Sequence, residues 1–190
     1  MPYGERFERA LVYAARAHRD QYRKGTRVPY VTHLLAVAAI VGGNGGTEDE
    51  VVAALLHDAP EDQGGEARLT DIRFRFGDEV AEIVAGCTDT YEDPKPPWRE
   101  RKEQYLAHLA RASGQVRLVS SADKLHNART VLSDYRAVGE ALWDRFNGGR
   151  EGTLWYYRAV ADTLRTGEDN PIARELDRVV AELERLVSDG

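Results

Sequence analysis

Apolar positions recur along this chain with a helical period almost from end to end. Phe7, Leu11, Ala14, Ala15 and His18 fall at helical spacing, which predicts a first helix with one inward face. The segment from Gly25 to Pro29 breaks it. An apolar run from His33 to Val41 predicts a second helix, ended by Gly42-Gly43-Asn44-Gly45-Gly46, where there are few side chains to pack. Thr47 and Glu50 then form a capping-box pattern, in which Thr47 caps free N–H groups and Glu50 reaches back to it. The helix they start, Val51 to Asp58, meets Pro60, which removes a backbone donor and predicts a kink or stop.

Farther on, Thr70 is expected to cap a short helix that runs through Phe76 and closes at Gly77, with Asp78 to Gly86 forming another. Asp93-Pro94-Lys95-Pro96-Pro97 predicts an extended surface connection. The remaining helices are expected over Trp98–Ala112, Val116–Leu132, Tyr135–Phe146, Gly152–Leu164 and Pro171–Val187, with Pro171 suited to a first turn. There is no alternating strand segment of useful length, no internal repeat and no low-complexity tract. The expected fold is all-α.

Length and charge narrow the picture. At 190 residues the chain is of single-domain size, and residues 1–190 read as one domain. Its 26 Lys and Arg against 32 Asp and Glu give a net charge of −6. A general nucleic-acid binder carries a basic excess, so no nucleic-acid partner is expected. A small anionic substrate remains compatible, because a metal ion or a few local cations can hold it. No apolar run approaches the roughly 20 residues of a membrane span. The opening MPYGERFERALVYAARAH mixes acids with bases and has no cleavable apolar stretch. The one cysteine, Cys87, cannot form an internal disulfide. A cytoplasmic protein without a membrane partner is expected, and the oligomeric state is not legible.

The candidate chemistry lies in a few residues. His57-Asp58 is an adjacent pair at the end of a strongly apolar helix; His33 lies upstream and Asp123 downstream. Imidazole nitrogen with carboxylate oxygen suits a divalent ion such as Mn²⁺, Fe²⁺, Mg²⁺ or Zn²⁺. Neighbours on a helix point roughly 100° apart, so His57 and Asp58 can share an ion only in a crease against their helix. Other helices must complete the set, and His33 and Asp123 are the candidates. A lone His-Asp dipeptide is usually surface chemistry. Here the alternative is a charged Asp buried beside an imidazole, which is costly unless a cation neutralises it. Glu61 and Asp62 follow about one turn later, where carboxylates can hold or deprotonate water. Asp123 and Asn127 share a helix face at i, i+4, so Asn127 can reach a substrate. Arg23 and Lys24 are able to clamp phosphate or stack on a base. His126 reads as a local hydrogen-bonding residue, and His18 and His108 as structural or exposed.

This ordered set resembles the HD superfamily of metal-dependent phosphohydrolases: an early His, an apolar helix ending His-Asp, and a later Asp. The stretches His18 to Lys24, Pro29 to His33, His57 to Asp62 and Ala122 to Thr130 are similar to the hydrolase domain of the RelA/SpoT alarmone enzymes, above all its stand-alone small forms. The resemblance implies an HD-type helical bundle with one Mn²⁺ on His33, His57, Asp58 and Asp123. It implies hydrolysis of the 3′-pyrophosphate of guanosine tetra- and pentaphosphate. Glu61 and Asp62 would activate or position water, Arg23 and Lys24 would face the base or phosphates, and Asn127 would contact the ribose-phosphate. Against the common family pattern, the turn between Lys24 and Pro29 is one residue longer, Leu34 replaces a Pro, Pro60 interrupts the helix, and Lys124 replaces an Arg. Gln63-Gly64-Gly65 also alters the stretch after Asp62. Two alternatives stay open: a phosphatase of another nucleotide such as NADPH, and a nucleotide sensor without turnover. The roles of Trp143, Trp155, Tyr156 and Tyr157 are also left open between core, dimer face and pocket wall.

Overall fold

The computed structural model describes residues 3–91, 94–166 and 170–189. Asp93, expected in the proline-rich connection, lies outside them. Helices α1 (Glu5–Ala17), α2 (Val31–Gly43), α3 (Glu48–Leu56), α4 (Ala59–Asp62), α5 (Gly65–Phe76) and α6 (Asp78–Cys87) are followed by α7 (Trp98–Leu109) and the long α8 (Gly114–Val138). A 3₁₀ helix (Gly139–Arg145), α9 (Gly149–Arg165) and α10 (Pro171–Ser188) complete the chain. Among the described residues there is no strand, only an isolated bridge between Tyr22 and Pro29. The all-α expectation holds.

Two helices carry the frame. Helix α3 buries Val51 through Leu56 without interruption, so it has no solvent face and sits inside the bundle. Each fully buried Leu there contributes on the order of 1.5–3 kcal/mol relative to exposure. Its start is fixed by the expected capping box: Thr47 Oγ1 accepts from Glu50 N at 3.3 Å, and Thr47 N donates to Glu50 Oε2 at 2.7 Å. Helix α8 runs beside it and packs against α2, α3, α6, α9 and α10. The α6–α8 approach depends on Gly86, where a Cβ would meet Val116 Cγ2 at 2.5 Å. At the far end, Asn170 Oδ1 accepts from the amides of Ile172 and Ala173 and starts α10. The inward stripe of α10 includes Leu176, Val180 and Leu183.

Three expectations are corrected. Thr70 caps nothing: α5 begins at Gly65, and the Thr70 hydroxyl donates to the Glu66 carbonyl within the helix. No break falls between Leu132 and Tyr135, because α8 continues to Val138 and stops at Gly139, whose φ of 61° belongs to the left-handed region. The segment after it is a 3₁₀ helix and not a continuation of α-helix. Pro60 behaves as expected. Helix α3 ends at Leu56 and Pro60 sits in the first turn of α4, so His57 and Asp58 occupy the joint between the two helices.

Candidate metal centre

Of the four residues expected to converge, His33, His57 and Asp58 form one cluster, and Asp123 Oδ1 approaches both of its imidazoles. His33 enters from the first turn of α2, His57 and Asp58 from the α3–α4 joint, and Asp123 from the middle of α8. His33 Nε2 lies 3.5 Å from Asp58 Oδ2 and 3.2 Å from Asp123 Oδ1. His57 Nε2 lies 3.1 Å and 3.7 Å from the same two oxygens. His33, His57 and Asp58 offer ligand atoms all within 4.8 Å of one another. Both imidazoles and Asp123 are buried, and Asp58 is partly so.

The surroundings aim these atoms. His57 Nδ1 lies 2.8 Å from the Ala54 carbonyl, so the Nδ1–H donates there and the Nε2 lone pair faces inward. His33 Nδ1 lies 2.8 Å from His126 Nδ1. Burial and the neighbouring His33 and Arg23 push the His126 imidazole down to about 4, so it is neutral and can accept the His33 proton. The Tyr30 hydroxyl donates to Asp58 Oδ2 at 2.7 Å, Lys124 Nζ to Asp123 Oδ2 at 2.6 Å, and Asn127 Nδ2 to Asp123 Oδ1 at 2.5 Å.

What remains unanswered in this network is its centre. The Nε2 atoms of His33 and His57 are buried and make no well-formed hydrogen bond, with carboxylate oxygens 3.1–3.7 Å away as their nearest charged neighbours. Buried polar atoms are rarely left so without a purpose. Burial raises the Asp58 and Asp123 carboxyls, yet both are held well below the usual range, Asp58 by the two imidazoles and Asp123 by Lys124 and the same imidazoles. Burial also opposes charge on His57, but the two carboxylates lift its imidazole well above the ordinary value. The two carboxylates are thus balanced by Lys124 and by a proton on His57, a positive charge that a cation bound at Nε2 would replace. Two nitrogen and two oxygen donors around unpartnered Nε2 atoms fit a divalent cation.

Beside the cluster lie two hollows of about 350 and 300 Å³ that share Lys24, Phe146 and Tyr157. The larger also takes in Glu61, Lys95, Lys102 and Tyr156; the smaller takes in Arg23, Tyr30, Asn127 and Arg145. Arg23 donates to Asn127 Oδ1 at 2.7 Å, so Asn127 bridges Arg23 to Asp123. Glu61 accepts from Lys95 Nζ at 2.9 Å, while Asp62 accepts from Gln21 Nε2 at 2.7 Å. Asp62 is open on its outer side, but loss of water on its inner side and the Asp58 and Glu61 charges push it up to about 6.

Sequence reasoning missed Lys95, Lys102, Phe146 and Arg145, which belong to no motif. It underused Tyr30 and Gln21, which stand inside the motif stretches. The open aromatics divide: Tyr156 and Tyr157 wall the hollows, Trp143 packs on Tyr135 in the core, and Trp155 lies under the Arg99 guanidinium beside Trp98.

Residues 10–154 match the profile of the HD domain. The chain belongs to the HD-domain family. Within that family it is similar to MESH1 proteins named guanosine-3′,5′-bis(diphosphate) 3′-pyrophosphohydrolase. The frog Xenopus tropicalis protein is 40% identical over 64% of this chain and 67% of its own length. The Drosophila melanogaster protein is 37% identical over 92% of each chain. The solved structure of a metazoan ortholog of SpoT, described as hydrolyzing ppGpp, superposes with a TM-score of 0.77 and 28% identity over 98% of this chain and 97% of that one. Membership in the HD family carries hydrolase chemistry and a divalent-metal site, and His33, His57 and Asp58 form a cluster with the donor atoms to hold such an ion. No helix among the described residues is long and apolar enough to cross a membrane.

Proposed function

We propose that this protein is a Mn²⁺-dependent guanosine-3′,5′-bis(diphosphate) 3′-pyrophosphohydrolase that works in the cytoplasm on a small nucleotide and takes no nucleic-acid partner. The observation that carries the reading is the pair of buried, unpartnered Nε2 atoms of His33 and His57, aimed with Asp58 and Asp123 at one point beside a cation-lined hollow. His33, His57, Asp58 and Asp123 hold the ion. When bound, it supplies Lewis acidity at a phosphoryl oxygen and lowers the pKa of water.

The chain's own residues do the rest. Asp62 takes the proton from the attacking water, for which a carboxyl near 6 is well matched at neutral pH. Glu61, held by Lys95, positions that water. The water oxygen bonds to the phosphorus next to the ribose and the bond from that phosphorus to the 3′ oxygen breaks, releasing pyrophosphate; the 3′ oxygen takes up a proton equivalent to the one Asp62 received and leaves as a hydroxyl. Lys24, Lys95 and Lys102 hold phosphate oxygens and absorb developing charge. Arg23 and Asn127 face the ribose and base end, where Tyr157 and Phe146 provide a wall.

Incubating the pure protein with Mn²⁺ and guanosine tetraphosphate is expected to give pyrophosphate and guanosine diphosphate in equal amounts. Inorganic phosphate released from NADPH, with guanosine tetraphosphate untouched, would transfer the same site to another nucleotide. Tight binding without product across a series of divalent ions would reduce it to a sensor.

A further inference from the structure

Helices α1 and α5 line a groove of about 870 Å³ that shares no residue with the metal cluster or its two hollows. From α1 come Arg9, Tyr13 and Arg16, spaced along one face; from α5 come Arg68, Phe74 and Arg75. Four guanidiniums around one hollow reverse the sign of a chain whose net charge is −6. The groove's acids offset only part of that charge. Asp71 pairs with Arg75 Nε and accepts from the Tyr13 hydroxyl, each at 2.7 Å, which leaves Arg9, Arg16 and Arg68 against Glu8. The Arg9 and Arg16 side chains are exposed and make no hydrogen bond or ion pair among the described residues. Phe74 is 88% exposed, the most open large apolar side chain of the molecule's described part. Exposed cations beside an exposed ring, around a hollow within the roughly 300–1,000 Å³ of small-ligand sites, suit phosphates attached to an aromatic base.

The groove is also connected to the catalytic side. Arg68 stands over the Tyr13 ring, 5.5 Å from its centroid, and its Nε donates to the Gln63 carbonyl at 2.8 Å. Gln63 Nε2 donates to Gln21 Oε1, and Gln21 Nε2 to Asp62 Oδ2, both at 2.7 Å. Gln63 is joined to α5 through Gly64 and the helix's first residue, Gly65, with φ of 131° and 59°, a backbone that other residues adopt poorly. This is the Gln63-Gly64-Gly65 departure from the family pattern, and the metal chemistry gives it no role.

We propose that the α1–α5 groove is a second site, for a nucleoside polyphosphate, with phosphates on Arg9, Arg16 and Arg68 and the base on Phe74. Occupancy turns Arg68 toward phosphate and away from the Gln63 carbonyl, which loosens the Gly64–Gly65 joint and shifts the Gln21 support of Asp62. That regulatory consequence rests on the catalytic role proposed for Asp62; the binding does not.

The test uses the intact Mn²⁺-loaded protein titrated calorimetrically with GTP and, separately, with inorganic tripolyphosphate. GTP is expected to occupy two sites per chain. The Arg9→Ala/Arg16→Ala variant, altered only at exposed positions and matched to the parent by circular dichroism, is expected to lose one of them or to weaken it at least about tenfold. Phe74→Ala is expected to weaken GTP several-fold and leave tripolyphosphate unchanged. Hydrogen exchange at residues 63–65 should rise with GTP in the parent and stay constant in the double variant. A single site of equal affinity in parent and double variant overturns the proposal. Equal responses of GTP and tripolyphosphate to Phe74→Ala overturn the nucleoside part, and unchanged exchange at 63–65 overturns the coupling. Pyrophosphate release from guanosine tetraphosphate is read in a separate assay, so loss of the proposed activity and loss of this site give different results.

Discussion

The metal centre and the hollows beside it are built in opposite ways. At the centre every donor leaves a packed element, and a neighbour fixes each orientation: Ala54 for His57, His126 for His33, Tyr30 for Asp58, Lys124 and Asn127 for Asp123. The rim instead consists of long cations whose partners are other rim groups, such as Lys95 on Glu61 and Lys24 on Asn147 at 3.3 Å. Arg101 and Lys102 both grip Asp89. Burial fixes the first region within narrow tolerances, whereas the exposed rim cations Lys24 and Lys95 can rearrange around an anion; Arg101, Lys102 and Asp89 are packed more tightly behind them. Under the proposed function, the centre would set the reaction type and the rim the choice of substrate.

The sharpest way to break this contrast is at the centre. Asp123→Ala removes an oxygen donor and leaves Lys124 facing the two imidazoles. Pyrophosphate release is expected to fall by about 10³-fold or more, as loss of several kcal/mol of charge stabilisation requires. Elemental analysis should show the bound metal gone, and normal activity with normal metal content would refute the ligand assignment. A smaller effect is expected on the rim. Lys102→Ala should raise KM about tenfold, the worth of one charge-assisted hydrogen bond, with metal content unchanged and kcat little altered. A drop in metal content there would merge the two regions into one.

The smallest effect concerns stability. Asp62 is pushed up to about 6, above its ordinary value, so the folded chain holds that proton more tightly than the unfolded one. Stability therefore falls as pH rises from about 4 to about 6. In chelated protein, Asp62→Asn is expected to raise Tm at pH 7 by a degree or so and to lose that advantage below pH 4. A lowered Tm at pH 7 would mean that the carboxylate is a structural anchor and not a strained functional group.

These regions also differ in how far the sequence reveals them. The centre was legible because burying His57 and Asp58 at the end of Val51–Leu56 has few physical explanations, and because Thr47 and Glu50 mark where that helix begins. Lys95 and Lys102 were not legible. Lys102 looks like any residue of a solvated helix face and Lys95 like part of a proline-rich connection, and they are tied to the site through Asp89 and Glu61, 13 and 34 residues away. Thr70 misled because a hydroxyl ahead of an apolar turn looks like a cap, whereas the true start at Gly65 follows a glycine with positive φ. The end of α8 was placed too early because Ser133 and Asp134 suggest a turn. Packing on α10 carries the helix past them to Gly139.

The small loop after α1 has a further consequence. Tyr22 and Pro29 pair across its base, with Arg23 N donating to the Val28 carbonyl at 2.9 Å and Tyr30 N to the Gln21 carbonyl at 2.9 Å. Its tip rests on Arg145, so close that a Cβ at Gly25 would lie 2.8 Å from Arg145 Cδ. Because the two ends are tied together, residues gained or lost at the tip push outward and leave His33 where it is. The loop thus presents Arg23 and Lys24 on a base whose closure does not depend on its tip.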